Sequence, residues 1–190
     1  MTTDGRLARG EATRVAILTA ATSIVARLGA GALTHRAVAA EVGVSHALVT
    51  YHFSTADALK RSALLHAGKR LTDRLSELLG DSPVPADVPT VVADLAVTMV
   101  TDLRDETITL YELMAQATRD PALHSTLSTI ICHVADLIEP LSGSHILATT
   151  ASTALLGTIL TAMALGRDQD PHILHTHIIT LVQRFDPQAK

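Results

Sequence analysis

Residues 34–53 read THRAVAAEVGVSHALVTYHF. Two short runs with helical apolar spacing meet across Gly43-Val44-Ser45. Thr34 is a good N-cap for a helix over 35–42, with Val38, Ala39 and Val42 inward. Ser45 caps a second helix over 46–52, with Leu48 and Val49 inward, and Phe53 closes the unit. Gly43 can take positive φ at the corner without steric cost, and Ala39 is small enough to let the second helix cross closely. This is the arrangement of a helix-turn-helix. The second helix then exposes Ser45, His46, Ala47, Thr50, Tyr51 and His52. A helix fits the DNA major groove, where base edges carry a readable donor and acceptor pattern, and its N-terminus favours nearby phosphate. A purely structural helical hairpin uses the same Gly turn. Position near the N-terminus, basic surroundings and the closing His52-Phe53 favour the DNA-reading pair.

Charge supports the same end of the chain. Residues 1–79 hold ten Lys and Arg against six Asp and Glu, a net of +4, whereas residues 80–190 hold five against thirteen, a net of −8. The overall −4 conceals this split. A basic end on an acidic body suits contact with a polyanion, although ordinary scatter produces modest excesses too.

Outward from this stretch the period stays helical. Ile17, Leu18, Ala21, Ile24, Val25 and Leu28 form one face of a helix over 14–28, and Gly29 sits where a left-handed cap would end it. After Ser54 or Thr55, a long helix reaches about Leu79, with Leu59, Ala63, Ala67, Leu71, Leu75 and Leu78 as its seam. GDSPVPADVP at 80–89 is the best linker. Further helices are expected near 90–103, 105–118, 121–140, 145–166 and 171–185, two of them started by Asp120-Pro121 and Asp170-Pro171. Pro140, Ser142 and Gly143 mark a break. The fold class is therefore all-α, with about nine helices.

Composition narrows function. Aromatic residues are 2% of 190, too few for a base-stacking surface. Hydrophobic residues at 47% argue against disorder. One cysteine, Cys132, excludes an intrachain disulfide framework and a Cys-rich zinc module; it is expected as a packed thiol on a buried helix. The N-terminal residues lack the apolar stretch of a signal peptide, so the cytoplasm is the expected compartment. No phosphate loop, GxSxG elbow or HExxH occurs, so no catalytic residues, enzyme activity or cofactor are expected.

The stretch from Ile17 to Leu64 resembles the DNA-binding domain of the TetR (tetracycline-repressor-like) family of bacterial regulators. That family's segment commonly reads T-x-R-x-I-A-x-x-A-G-V-S-x-x-x-L-Y-x-H-F-x-x-K-x-x-L. Thr34, Arg36, Ala39, Gly43, Val44, Ser45, His52, Phe53 and Leu59 match it, and Val38, Val42 and Val49 are conservative replacements. The segment TLYELMAQATRDPALHSTL at 109–127 is similar to a recurrent segment of the family's C-terminal domains. Two departures stand out. Thr50 replaces a Tyr that touches phosphate, and Ala56 replaces a Lys; both losses weaken sequence-independent affinity, with Tyr51 and Lys60 nearby as partial substitutes.

The resemblance implies a helix-turn-helix domain over 1–54 and a helical ligand-binding and dimerisation domain over 55–190, joined by the helix 55–79. The DNA-binding set becomes Thr34, Arg36, Ser45, His46, Ala47, Thr50, Tyr51, His52 and Lys60. A ligand-sensing core is implied in the fifth to seventh helices, where Met99, Leu103, Tyr111, Met114, Ile130, Ile131, His133, Val134 and Leu137 lie on apolar faces. Plain core packing explains each of these singly. A homodimer is implied through the last two helices, where Ala151, Leu155, Thr158, Ala162, Ile178 and Leu181 are the expected contacts.

Residues 146–166 carry no charge, which fits a subunit interface better than a membrane span, because Thr and Ser are frequent and no second span exists. His172, His175 and His177 lie near Asp168 and Asp170, but no metal site is expected there. The expected partners are thus a double-stranded DNA operator, a second copy of the chain and an unidentified small-molecule effector, with no membrane. The expected function is a repressor released from a palindromic operator when the effector binds. The alternative is a helical small-molecule-binding dimer whose DNA-binding motif is vestigial.

Overall fold

A computed structural model describes residues 4–80, 87–142 and 144–185. Among them are nine α-helices and no strand: α1 (Asp4–Leu28), α2 (His35–Val42), α3 (His46–His52), α4 (Ala56–Leu79), α5 (Val88–Val100), α6 (Arg104–Ala117), α7 (His124–Ser142), α8 (His145–Ala164) and α9 (Pro171–Phe185). Short 3-10 turns precede α2, α7 and α9. Residues 81–86 of the expected linker lie outside the described residues.

The chain forms two compact units. The first takes in residues up to Gly68 together with Ile108–Leu127. The second takes in Lys69–Thr107 and the residues from Ser128 onward. The first unit extends past residue 54 because residues of α4 and α6 pack into it. Leu59, Ala63, Leu64 and Ala67 of α4 are fully buried. Thr109 of α6 donates its hydroxyl to the Thr22 carbonyl of α1 at 3.0 Å, and the Glu112 carboxylate accepts the Ala30 N–H at 3.4 Å.

In the first unit, Ile17, Ala21, Ile24 and Val25 of α1 are buried, as are Val38 and Ala39 of α2 and Val49 of α3. Leu28 departs from the expected apolar face and is 66% exposed. Gly29 has φ 80° but ψ 163°, so it bends the chain into the turn at 30–32 instead of closing a left-handed cap. Arg27 bridges to Glu41 at 2.9 Å, tying α1 to α2 at the surface.

In the second unit α5 packs along α9. Ala93, Ala96, Met99 and Val100 of α5 are buried, as are Leu174 and Ile178 of α9. Asp87 caps α5 through the Thr90 N–H and hydroxyl, which hold its carboxyl below the usual carboxylate range. Pro140 does not break α7: the helix runs through it to Ser142. Proline near a helix end removes few ladder bonds, which is why α7 tolerates it.

The second unit also holds a buried charge. The Asp168 side chain is 3% exposed and pairs with Arg104 at the start of α6. A second bridge, Arg70 to Glu106 at 2.5 Å, ties α4 to α6. Arg104→Ala leaves the Asp168 carboxylate buried without its cation, so it is expected to destabilise the chain by about 2–3 kcal/mol, below the range for a fully buried pair. A urea titration checks this as a lower midpoint with unchanged slope.

Candidate nucleic-acid interface

The helix-turn-helix is built from two side-chain caps and one glycine. The Thr34 hydroxyl accepts the Ala37 N–H at 3.1 Å and so starts α2. Gly43 then adopts φ 75°, ψ 31°, the left-handed region, where any β-carbon is strained. Its N–H and that of Val44 both donate to the Ala39 carbonyl. The Ser45 hydroxyl accepts the Leu48 N–H at 3.2 Å and starts α3. The seven-residue α3 is about 10 Å long, enough to lie along a major groove.

One side of α3 is inside the unit and the other is free. Val49 is fully buried, Phe53 nearly so, and Leu48 half-buried. Ser45, His46, Ala47 and Thr50 are exposed, and Tyr51 is 83% exposed. Thr34 and Arg36, at the start of α2, are exposed as well. His52 and Lys60 are half-buried. The His52 ring lies between Tyr51, at 5.4 Å, and Phe53, at 6.4 Å. The Thr50 hydroxyl donates to the His46 carbonyl at 3.0 Å, so in this rotamer its proton is unavailable to a phosphate. The Ala56 position, first in α4, offers no charge, and the helix start is capped instead by Thr55 accepting the Ala58 N–H.

Two groups near α3 escaped sequence reasoning. His35 in the first turn of α2 places Nε2 2.5 Å from the Phe53 carbonyl, and its ring lies edge-on to His46 at 6.0 Å. Arg14 of α1 sits over the Phe53 ring at 5.6 Å, within cation–π range. Neither contact has a short-range sequence signal, since the partners lie 18 and 39 positions apart.

The expected ligand residues divide between the units: Tyr111 and Met114 belong to the first and the other seven to the second. Met99, Leu103 and Ile130 are buried; Tyr111, Met114, Ile131, Val134 and Leu137 are half-buried. His133 was expected on an apolar face and is exposed. Cys132 beside it is exposed too, not packed, because the inward stripe of α7 runs through Ile130 and Ala135.

Of the expected dimer residues, Ala151 is exposed, and Leu155, Thr158 and Leu181 are half-buried. Ile178 points into the chain's own core, and Ala162, although largely buried, lines an open groove together with Thr158. The exposed large apolar residues of this region are Ile146, Leu147 and Leu160 of α8, Leu165 just after it and Ile173 of α9. Ala154, Gly157, Thr161, Leu174 and His177 line the same groove.

The histidines of α9 do not gather around the nearby acids. Asp168 is held by Arg104, Asp170 caps α9 through the N–H groups of His172 and Ile173, and His175 pairs with Asp94 at 3.2 Å. Another group, Asp136, Glu139 and His145, meets at the exposed approach to α8. His145 Nδ1 lies 3.3 Å from Glu139 and 3.7 Å from Asp136, as surface ion pairing would place it.

Comparison with known proteins agrees with this architecture. The family model described as bacterial regulatory proteins, tetR family, matches residues 17–63. The model described as tetracyclin repressor-like, C-terminal domain, matches residues 83–185, over half of the chain. The HTH-type transcriptional repressor Rv3405c of Mycobacterium tuberculosis is 41% identical over 78 residues, which span 41% of this chain and 39% of that protein. The HTH-type transcriptional regulator Mb3439c of Mycobacterium bovis matches to the same extent. The aligned part thus covers about two fifths of these curated relatives. Among solved structures, a TetR-family member from Streptomyces coelicolor A3 is 28% identical with a TM-score of 0.72, covering 87% of this chain and 95% of its own. The multidrug binding protein EbrR, complexed with imidazole, is 27% identical with a TM-score of 0.67, covering 88% and 93%. With a capped helix-turn-helix at one end and a matching helical domain over most of the rest, the chain belongs to the tetracycline-repressor family of bacterial regulatory proteins.

Proposed function

We propose that this chain is a cytoplasmic transcriptional repressor that binds a palindromic operator as a homodimer and leaves it when a small molecule occupies the C-terminal helices. The observation that carries this reading is the outward polar face of α3, with Ser45, His46, Thr50 and Tyr51 exposed while Val49 and Phe53 anchor the other side. Such a face reads base edges, and Thr34, Arg36 and Lys60 supply backbone contacts around it. Two copies of α3 roughly 34–36 Å apart would meet successive major grooves on one side of the duplex.

The dimer forms through α8 and α9. Thr149, Thr150, Thr153, Thr158 and Thr161 each turn their hydroxyl to the carbonyl four residues earlier in α8. Their polar atoms are thereby satisfied within the helix, so a partner helix can cover the surface without stranding them. Gly157 lies in the middle of the exposed face, where a partner backbone can approach closely. Ala151, Leu155, Thr158 and Leu181 border this surface, while Ala162 and Ile178 support it from inside.

The effector is a small molecule received by α5, α6 and α7. The family relative EbrR is named a multidrug binding protein and has been crystallised with proflavin and with ethidium. In this chain Met99, Leu103 and Ile130 provide apolar side chains, and the fully buried Thr107 hydroxyl has no hydrogen-bond partner among the described residues. A guest with one polar group would satisfy it. Release requires that the guest bind the DNA-incompetent arrangement more tightly than the other.

A mobility shift on the gene's own upstream DNA, run over a salt series, tests the DNA half of this reading. Binding is expected to fall steeply with salt and to prefer one palindromic site. Thr50 and Ala56, which lack the phosphate contacts of the family pattern, favour the alternative of vestigial DNA binding; a shift without sequence preference at any salt would establish it. His46→Ala is expected to relax base preference at one position of each half-site, by about tenfold, with the salt slope unchanged. Among the described residues, nothing beyond its chain neighbours and its own helix backbone lies within 4 Å of a β-carbon at Gly157, so Gly157→Arg should fold normally. It should sediment as a monomer with weak operator affinity. A persistent dimer would place the interface elsewhere.

A further inference from the structure

We infer that His35, which lies outside the face offered to DNA, is the positioning residue that sets how His46 reads its base, an inference resting on the operator-binding reading above. The argument begins with the shortness of α3. Seven residues make fewer than two full turns, and so short a helix has little stability of its own. Its orientation must come from attachments to the rest of the unit. Val49 attaches the middle and the Ser45 cap starts the helix. His35 adds an attachment at each end.

At the far end, a carbonyl can only accept, so the 2.5 Å approach of His35 Nε2 to the Phe53 oxygen is an N–H donation from the ring. The Phe53 carbonyl lies just beyond α3, in the region where helix carbonyls lack intrahelical partners. At the near end, the same ring stands edge-on to His46, with planes inclined at 61°. His46 is otherwise exposed, and an exposed imidazole samples several rotamers. The contact with His35 restricts those rotamers before DNA arrives, which lowers the ordering cost of making a base contact. One half-buried side chain on α2 therefore governs both the pitch of α3 and the direction of its first base-reading group. Phe53 is held in turn by Arg14 over its ring, so the anchor point of His35 is itself supported from α1.

The test separates positioning from folding. A library of duplexes with a randomised central region is selected with the full-length wild-type chain, and the enriched duplex and its single-base variants become the probes. His35→Gln keeps an amide donor for the Phe53 carbonyl but removes the ring beside His46. His35→Ala removes both. His35→Gln is expected to melt like the wild type and keep its salt slope, yet to lose about tenfold discrimination at the base pair that His46→Ala relaxes, and at no other. His35→Ala should show the same loss with a lower melting temperature. The double variant H35A/H46A should discriminate no worse than H46A, because both remove one interaction. Wild-type discrimination in His35→Gln, an equal loss at every base pair, or additive losses in the double variant would each overturn the inference. Failure of the wild type to enrich any sequence would overturn the operator reading itself, and this inference with it.

Discussion

Gly43 holds the angle on which the DNA-facing surface depends. In the left-handed region it lets α2 stop and α3 start within three residues, with two N–H groups closing on the Ala39 carbonyl. A residue with a β-carbon would be strained there, and opening the corner would lift Val49 and Phe53 out of the core they share with α1. The inner face of α3 is saturated by that core, while its outer face leaves polar groups exposed to solvent. A binding surface arises here as the complement of a packed one.

The second unit solves a different problem, how to keep long apolar helices ordered and distinct. Burial of α5 against α9 supplies the apolar part. Specific polar ties supply the register: Asp168 with Arg104, Glu106 with Arg70, and Asp94 with His175. Helix α6 is shared, giving Arg104 and Glu106 to the second unit and Thr109 and Glu112 to the first. Helix α8 is apolar yet largely uncovered within one chain, and it is long enough to cross a membrane. The satisfied threonine hydroxyls and the exposed Ile146, Leu147, Leu160 and Leu165 make that surface suited to a protein partner.

Local signals carried the helix inventory. Thr34, Ser45 and Asp170 each cap the helix expected of them, Asp120 caps the short 3-10 turn ahead of α7 instead, and Gly43 turns as a glycine there must. These succeed because caps and turns are decided within four or five residues, inside the range over which sequence neighbours are also spatial neighbours. Periodicity was less reliable on faces that border two environments. Leu28, His133 and Cys132 sit on helices with the right spacing but face outward, and Ile178 is fully buried within one chain where a subunit contact was expected. A helical period marks which residues share a face, not what that face meets.

The chain's own order of residues determined the all-α class, the corner between α2 and α3 and the outward set on α3, because each follows from backbone geometry and from which side chains tolerate water, whereas α1 starts at Asp4, ahead of the expected residue 14. Tertiary structure alone decided that His35 would grip both ends of α3, that Arg104 would neutralise a buried Asp168, and that α6 would serve two compact units. Those contacts join residues 11 to 64 positions apart, and only packing in three dimensions selects one such pairing from the many that the composition allows.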